Sequence, residues 1–486
     1  MIILLPLVVP LLGALGYAVV GWRRATAWMS AVSAAAMLTS AIILVGSEPR
    51  TALAGLLRVD ALAAYMLVVI GAVALLATVA TPAYFMTEFA AKRATERTAT
   101  RHSVLVQLFL AAMALAVLAA NLGVLWIAIE ATTIVTAFLV GQRRTKAAVE
   151  AAWKYVVICS AGIALALLGT IVLNFASSRA PGAAGLDLTA LAATASNLDP
   201  GVTRIAVVLL ILGFGTKAGL APLHAWLPDA HSQAPAPVSA LMSGVLLSVA
   251  FYAILRVKVI ADGALGTGFT RMLLAVMAVA SLVLAASLLL AQQDYKRMLA
   301  YSSIEHLGLV ALGAAIGSPL ALTAVLLHVL GHGLAKGVLF LGAGRILQVT
   351  GTSRIDGVRG LAGPHPVLAG GIGFGVLALI GLPPFSLFAS ELGLFRAGFA
   401  SGLGWLAAIA LVLVLIIAAA LVTHTSRMLL GATPDGPGTA TGTRQVPVPT
   451  AFALIGGLLV CAALGITAGP LAALLDSAVD TLVGAR

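Results

Sequence analysis

Charge is what this chain of 486 residues has least of: 28 Lys and Arg with 17 Asp and Glu make only 9% of it. A soluble domain usually carries about 25% charged residues. So few charges cannot coat the surface of an ordinary cytosolic enzyme this long, and a disordered chain is excluded by the same count. Cysteine is nearly absent: Cys159 and Cys461 are the only two, each inside an apolar run. A disulfide scaffold, an iron–sulfur cluster and a cysteine-based zinc site are thereby excluded. What remains is apolar, 61% of all residues, the composition of a polytopic membrane protein.

The net charge of +11 has a simpler use here than nucleic acid, because Lys and Arg collect in cytoplasmic loops and orient membrane proteins. The first twenty residues are apolar, and Arg23–Arg24 follow rather than precede them, which reads as a first span rather than a signal peptide. A spanning helix needs about 20 apolar residues, and about fourteen such stretches occur. They lie near 2–21, 26–46, 61–86, 103–120, 122–140, 150–175, 203–221, 238–260, 270–291, 303–317, 319–347, 367–398, 404–424 and 449–474. Long continuous Ala- and Leu-rich runs favour helices over the short alternating strands of a barrel. Connections after odd-numbered stretches hold most of the basic residues, among them Arg23, Arg24, Lys92, Arg93, Arg97, Arg101, Arg143, Arg144, Lys296, Arg297, Arg354, Arg359 and Arg444. Odd connections are therefore expected in the cytoplasm and both termini outside. Residues 176–202 read as an external loop with one short surface helix, and 432–447 as a flexible cytoplasmic loop.

Two stretches are broken by proline. One runs from Gly213 to Pro222 and on through His224, Pro228, Asp229, His231, Pro235 and Pro237; the other is Gly381–Phe385, followed by Glu391. Proline removes a backbone donor and clashes with the preceding turn, and such breaks are tolerated at membrane depth only inside protein or a hydrated cavity. Gly219-Leu-Ala-Pro222 echoes Gly381-Leu-Pro-Pro384, the pattern of paired broken helices in inverted-repeat transporters. Two unrelated kinks would read the same way.

Ionisable residues inside the membrane are the functional candidates, because each costs roughly 2.5–3.5 kcal/mol at a helix centre. Glu130 lies in an apolar helix; it is either a gate or a neutral carboxyl satisfied by a Thr or the backbone. Lys217, beside the first break, could pair with it, and a pair that opens and closes would move the lysine's proton. His328, His332 and Lys336 recur every four residues and line one helix stripe, suited to a proton relay. Zinc is the rival for His328 and His332, but no third ligand is evident in the sequence. Glu305–His306 reads as a relay pair or as the cap of a helix starting there. Lys154 is expected to snorkel, and Arg256 and Lys258 to act as anchors. No residue argues for a quinone site, a nucleotide loop or any cofactor.

The run His224-Ala-Trp-Leu-Pro-Asp-Ala-His-Ser-Gln-Ala-Pro-Ala-Pro-Val-Ser-Ala-Leu-Met-Ser-Gly244 resembles the signature of the antiporter-like membrane subunits of respiratory complex I. Those subunits are related to multisubunit (Mrp-type) cation/proton antiporters and to membrane-bound hydrogenases. Glu150–Gly169 and Tyr301–Gly308 are similar to component F of hydrogenase-4, a membrane subunit of formate hydrogenlyase-type complexes. The resemblance implies an all-α fold of about fourteen helices with two inverted five-helix repeats. The repeats would fall at 103–262 and 263–425, after an N-terminal unit at 1–102 and before a C-terminal segment at 426–486. It also implies a hydrated polar axis on which Glu130 is the gating acid, Lys217 the lysine of the first broken helix, and His332 and Lys336 the central relay. Glu391 matches the acid or lysine of the second broken helix. Expected partners are other membrane subunits, hydrophilic redox subunits and the inner-membrane bilayer. One departure stands out: where many relatives carry Lys or His after the signature, this chain reads Leu246-Leu-Ser248. That leaves a non-pumping membrane anchor as a competing expectation.

Overall fold

The computed structural model describes residues 2–182, 184–431 and 445–483. Most of the loop expected at 432–447 lies outside the described residues, as does Arg444. The chain opens with α1 (Leu5–Val20) and α2 (Met29–Leu44), then a small antiparallel hairpin, β1 (Arg50–Ala52) and β2 (Leu57–Val59). It continues with α3 (Ala61–Ala90), α4 (Glu96–Leu118), α5 (Leu122–Val140), α6 (Lys146–Arg179) and the short α7 (Leu188–Ala193). The first broken helix follows as α8 (Pro200–Ala218) and α9 (Trp226–Gln233). Next, α10 (Ala236–Leu241) passes through a π-helical turn, Met242–Leu246, into α11 (Leu247–Leu265). Then come α12 (Thr267–Leu290), α13 (Tyr295–Ile316), α14 (Pro319–Thr350) and the second broken helix, α15 (Pro366–Leu379) with α16 (Ser386–Ala400). The chain closes with α17 (Gly404–Leu430), α18 (Val448–Ile466) and α19 (Gly469–Val483).

The helices start where polar side chains can satisfy free backbone donors. Asp60 caps α3, Thr95 closes a capping box on α4, and Asn121 and Thr145 cap α5 and α6. Asp199 and Ser318 cap α8 and α14, each followed by a proline in the first turn, where a missing N–H costs nothing.

Twelve helices among the described residues are long and apolar enough to cross a membrane. Three spans, Ala236–Leu265, α13 and α14, are 94–100% buried over their apolar windows. Around them α1, α5, α6, α12, α17 and α18 turn side chains such as Leu12, Phe138, Trp153, Met272, Trp405 and Phe452 outward. An apolar exterior around a core that holds the ionisable residues is the arrangement of a multi-pass membrane protein. Loop contacts fall into two sets. Leu57 bridges Ala119, and Asn121 bridges Asp187, joining even-numbered connections. Asp294 bridges Arg354, and Leu361 N–H donates to the Met428 carbonyl, joining odd-numbered ones.

Two sequence expectations are corrected. The helix carrying Glu305–His306 does not start there: Asp294 caps it at Lys296 and Arg297, so both residues lie mid-helix and buried. Basic residues in its first turns hid that start from a hydropathy reading. The last apolar stretch is not one helix, because Gly469 and Pro470 open a new one after Thr467. This α19 buries Leu474, Leu475, Ala478, Val479 and Leu482 against α3, α14 and α11. The stretch 367–398 is two half-helices, α15 and α16. The short helix expected in the 176–202 loop is α7, capped by Asp187.

Candidate functional site

Both breaks are built alike. A glycine of positive φ, Gly219 (77°) or Gly381 (65°), ends the first half-helix, and the next two residues lead into a cis X-Pro bond, Ala221–Pro222 or Pro383–Pro384. At the first break Trp226 folds back, and its Nε1 donates to the freed carbonyl of Thr216 at 2.9 Å. At the second, Gly465 of α18 packs on the backbone: an added Cβ would lie 1.9 Å from the Pro384 oxygen. Protein thus covers the exposed peptide groups, as membrane depth requires.

Lys217, on the last turn of α8, is fully buried. Its Nζ donates to Thr133 Oγ1 on α5 at 2.8 Å and to the Tyr155 hydroxyl on α6. Tyr155 also hydrogen-bonds Thr136 and packs edge-on to Trp226 with centroids 4.9 Å apart. Glu130 lies one turn before Thr133 on α5, with Oε2 buried and without a hydrogen-bond partner. The expected Glu130–Lys217 ion pair is not formed; the ammonium rests on hydroxyls instead. Glu130 faces a cavity of about 1300 Å³ between α4, α5 and α6, whose rim carries Arg97, Arg101, Arg143 and Arg144.

The second group centres on α14. Lys336 is fully buried, with Nζ donating to the Leu299 carbonyl at 2.6 Å and to Ser302 Oγ on α13. Glu305 sits one turn beyond Ser302, and its Oε2 has no hydrogen-bond partner. The His306 ring, from α13, stands 4.9 Å from that of His332 and 5.0 Å from that of His328, centroid to centroid. His306 Nδ1 lies 3.0 Å from His328 Nε2, and His328 Nδ1 lies 3.0 Å from Ser390 Oγ on α16. Ser390 spends its own hydrogen on the Leu387 carbonyl at 2.9 Å. Its oxygen must therefore accept from His328 Nδ1–H, which leaves His328 Nε2 to accept from His306 Nδ1–H. His306 Nε2 ends the row as a bare, buried acceptor without a partner. Next to Ser390, Glu391 lies across the second break, where a Cβ on Gly381 would meet its Oε2 at 2.3 Å.

Further buried polar groups lie near these two: His231 of α9 stacks on Phe340 of α14 with neither ring nitrogen partnered, and hydroxyls line α10, α11 and α13. Ser243 and Ser303 are 2.7 Å apart, and Ser248 is buried with Oγ unpartnered just after the π-helical turn. There Gly244 and Gly333 bring the two helices into backbone contact: an added Cβ on Gly333 would lie 2.8 Å from the Gly244 oxygen.

The remaining candidates sit apart from this row. Asp229 of α9 pairs with Arg297 at 2.7 Å and with Lys154 at 3.2 Å, and Lys154 also meets Glu150 at 2.7 Å. Lys154 is thus a half-exposed ion-pair partner. His224 is half-buried beside the first break, with Nδ1 unpartnered. Arg256 is bonded to Asp60 at 2.7 Å and donates to the Tyr252 hydroxyl at 3.0 Å. Thr133, Tyr155, Ser302 and Ser390 are not singled out by the sequence: Thr133 and Ser302 lie one turn from Glu130 and Glu305, Ser390 adjoins Glu391, and Tyr155 of α6 is near none of the three acids in sequence.

The signature run, both breaks and the buried row all fall inside one family match. Residues 119–417 match the model described as NADH:quinone oxidoreductase/Mrp antiporter, TM. The chain belongs to this family. It is 43% identical over 297 residues to a hydrogenase-4 component F homolog of Methylacidiphilum infernorum, 60% of this chain and 62% of that one. The chain spans about half to three fifths of the length of the first curated relatives it matches. A further relative, subunit N of the F(420)H(2) dehydrogenase of Methanosarcina mazei, is 31% identical over 73% of this chain and 71% of its own length. Among solved structures, a chain of the archaeal membrane-bound sulfane sulfur reductase superposes with a TM-score of 0.86 at 24% identity, over 99% of this chain and 97% of that one. That last likeness concerns the fold.

Proposed function

We propose that this chain is a proton-translocating, antiporter-like membrane subunit of a hydrogenase-4 or formate hydrogenlyase-type assembly. Redox chemistry would reside in hydrophilic partner subunits. The observation that carries the reading is the row of buried polar groups from the Glu130 cavity, through Lys217, the serines and Lys336, to the imidazoles and Glu391. Lys217, Lys336, His306 and His328 are each held by groups that can donate or accept a proton, while Glu130, Ser248 and Glu391 keep a buried oxygen free to take one up. In the arrangement described, Lys217 rests on Thr133 and Tyr155. A shift of Glu130 toward it would draw the ammonium off those hydroxyls and change its hold on its proton. Partner subunits would drive that shift; protons then pass along Lys336, His332, His306 and His328 and leave beside Glu391.

Two features support inverted repeats at 103–262 and 263–425. Gly381 stands 162 residues after Gly219, and the same step carries Pro222 to Pro384 and Asp229 to Glu391. The alternating basic connections support a cytoplasmic side at Arg23, Arg143 and Arg297 and an N-terminus outside. An outside C-terminus is part of the same proposal, with α19 following α18 from within the last expected stretch.

The test is proton uptake in vesicles holding the intact complex. Glu130→Gln or Lys217→Ala abolishes coupled proton movement while the partners still co-purify; unchanged flux in both sinks the proposal. A complex I or Mrp-type subunit is the nearest alternative, and co-purification of NADH-oxidising or exclusively membrane partners would favour it. The unpartnered Ser248 specifically favours a non-pumping anchor, which wild-type flux after loss of every central ionisable group would establish.

A further inference from the structure

The three imidazoles of the second group do more than form a row, because α16 brings a carboxylate to them. His306, His328 and Glu391 each offer one ligand atom within 4.8 Å of the others, and all three are buried. Along the sequence, no third ligand stands beside His328 and His332. Those two rings stack 6.5 Å apart and do not converge; His306 and Glu391, from other helices, are what close on His328.

We propose that His306, His328 and Glu391 form a site for a divalent transition-metal ion of the zinc class, and that the ion blocks proton passage when bound. Three observations carry the site. First, His306 Nδ1 and His328 Nε2 are 3.0 Å apart, close to the roughly 3.3 Å between two nitrogens sharing a tetrahedral zinc at about 2.0–2.1 Å each. Second, His328 is oriented from behind by Ser390, which accepts from its Nδ1, the outer hydrogen bond that metal-binding histidines characteristically make. Third, Glu391 Oε1 and His306 Nε2 are buried without partners. Glu391 therefore breaks no hydrogen bond on swinging toward the ion.

The chemistry balances. A metal between the rings replaces the hydrogen on His306 Nδ1, and that proton settles on the unpartnered Nε2 of the same neutral ring. Glu391 binds as its carboxylate, and a water completes the tetrahedron. Two imidazoles and one carboxylate suit zinc, cobalt or nickel rather than magnesium or calcium, which prefer all-oxygen shells.

Metal binding to the full chain in detergent, purified through a tag free of histidine, tests the site without any measurement of flux. Titration calorimetry with zinc chloride is expected to give one ion per chain, and cobalt chloride the intense visible absorption of a tetrahedral complex. His306→Gln and Glu391→Gln each weaken binding at least tenfold, and the milder Ser390→Ala by about tenfold. His424→Gln, at a buried histidine bonded to the Leu289 carbonyl, leaves binding unchanged. Absence of saturable one-site binding, or equal affinity in wild type and both ligand variants, overturns the site. The blocking role rests on the proposed relay: zinc that binds with these properties but leaves wild-type flux intact removes that role alone. A chain that moves no protons yet binds zinc would sink the relay and leave the site standing.

Discussion

Lys217 and Lys336 are both fully buried lysines near the centre of the fold, and their surroundings differ in kind. Lys217 is held only by hydroxyls, with an unpaired carboxylate on the same α5 face and a large basic-rimmed cavity behind it. Lys336 is held by a backbone carbonyl and a serine and leads to imidazoles whose hydrogens are assigned ring by ring. Side-chain hydroxyls can turn and release an ammonium; a helix carbonyl cannot. On the proposed function, the first region would be switched by a moving acid, and the second would transmit in a fixed order.

The comparison can be broken most sharply in the second region. His328→Phe removes both its acceptor and its donor, and flux through the assembled complex should fall about a hundredfold or more, in the range of a lost general acid–base group. Equal flux would mean that water, not imidazole, connects this part. Ser390→Ala keeps the ring but frees its tautomer; flux is expected to drop about tenfold, with a stability loss of about 1 kcal/mol for the missing bond in a thermal-shift assay. In the first region Tyr155→Phe leaves Lys217 with Thr133 alone. Because Glu130 can take the ammonium over, flux should fall by only a few-fold, and a loss as large as that of His328→Phe would show that the two regions work alike. Lys154→Ala touches a half-exposed pair and should change neither flux nor melting, since screened surface pairs contribute little.

The legibility of these residues followed their cost. Glu130, Lys217, His328, His332, Lys336 and Glu391 stand out in the sequence because a charge or imidazole among apolar residues demands a reason. All of them are in or beside the buried row. The groups that hold them do not stand out: Thr133, Tyr155, Ser302 and Ser390 are common in membrane helices, where a hydroxyl bonds the preceding turn and passes unnoticed. The fold class was legible from hydropathy, and both breaks from proline. Helix ends were legible only where charge was absent, which is why Glu305–His306 was read as a helix start. The meeting of His306 with Glu391 depends on how α13, α14 and α16 pack, and no spacing along one helix encodes it.

The hydrogen order of the imidazoles has a consequence for turnover. On the proposed relay, a proton arriving on His306 Nε2 would push the Nδ1 hydrogen to His328, and His328 could release its own through Ser390 only once that hydroxyl turned its hydrogen from the Leu387 carbonyl toward another acceptor such as Glu391. The row then stands reversed and will not carry a second proton the same way until each ring has rotated or passed its hydrogen back. His306 and His328 are fully enclosed, so those rotations need the surrounding helices to loosen. The repacking of α13 against α14, rather than the transfer itself, would then pace the cycle, and every tightening of that interface would slow it.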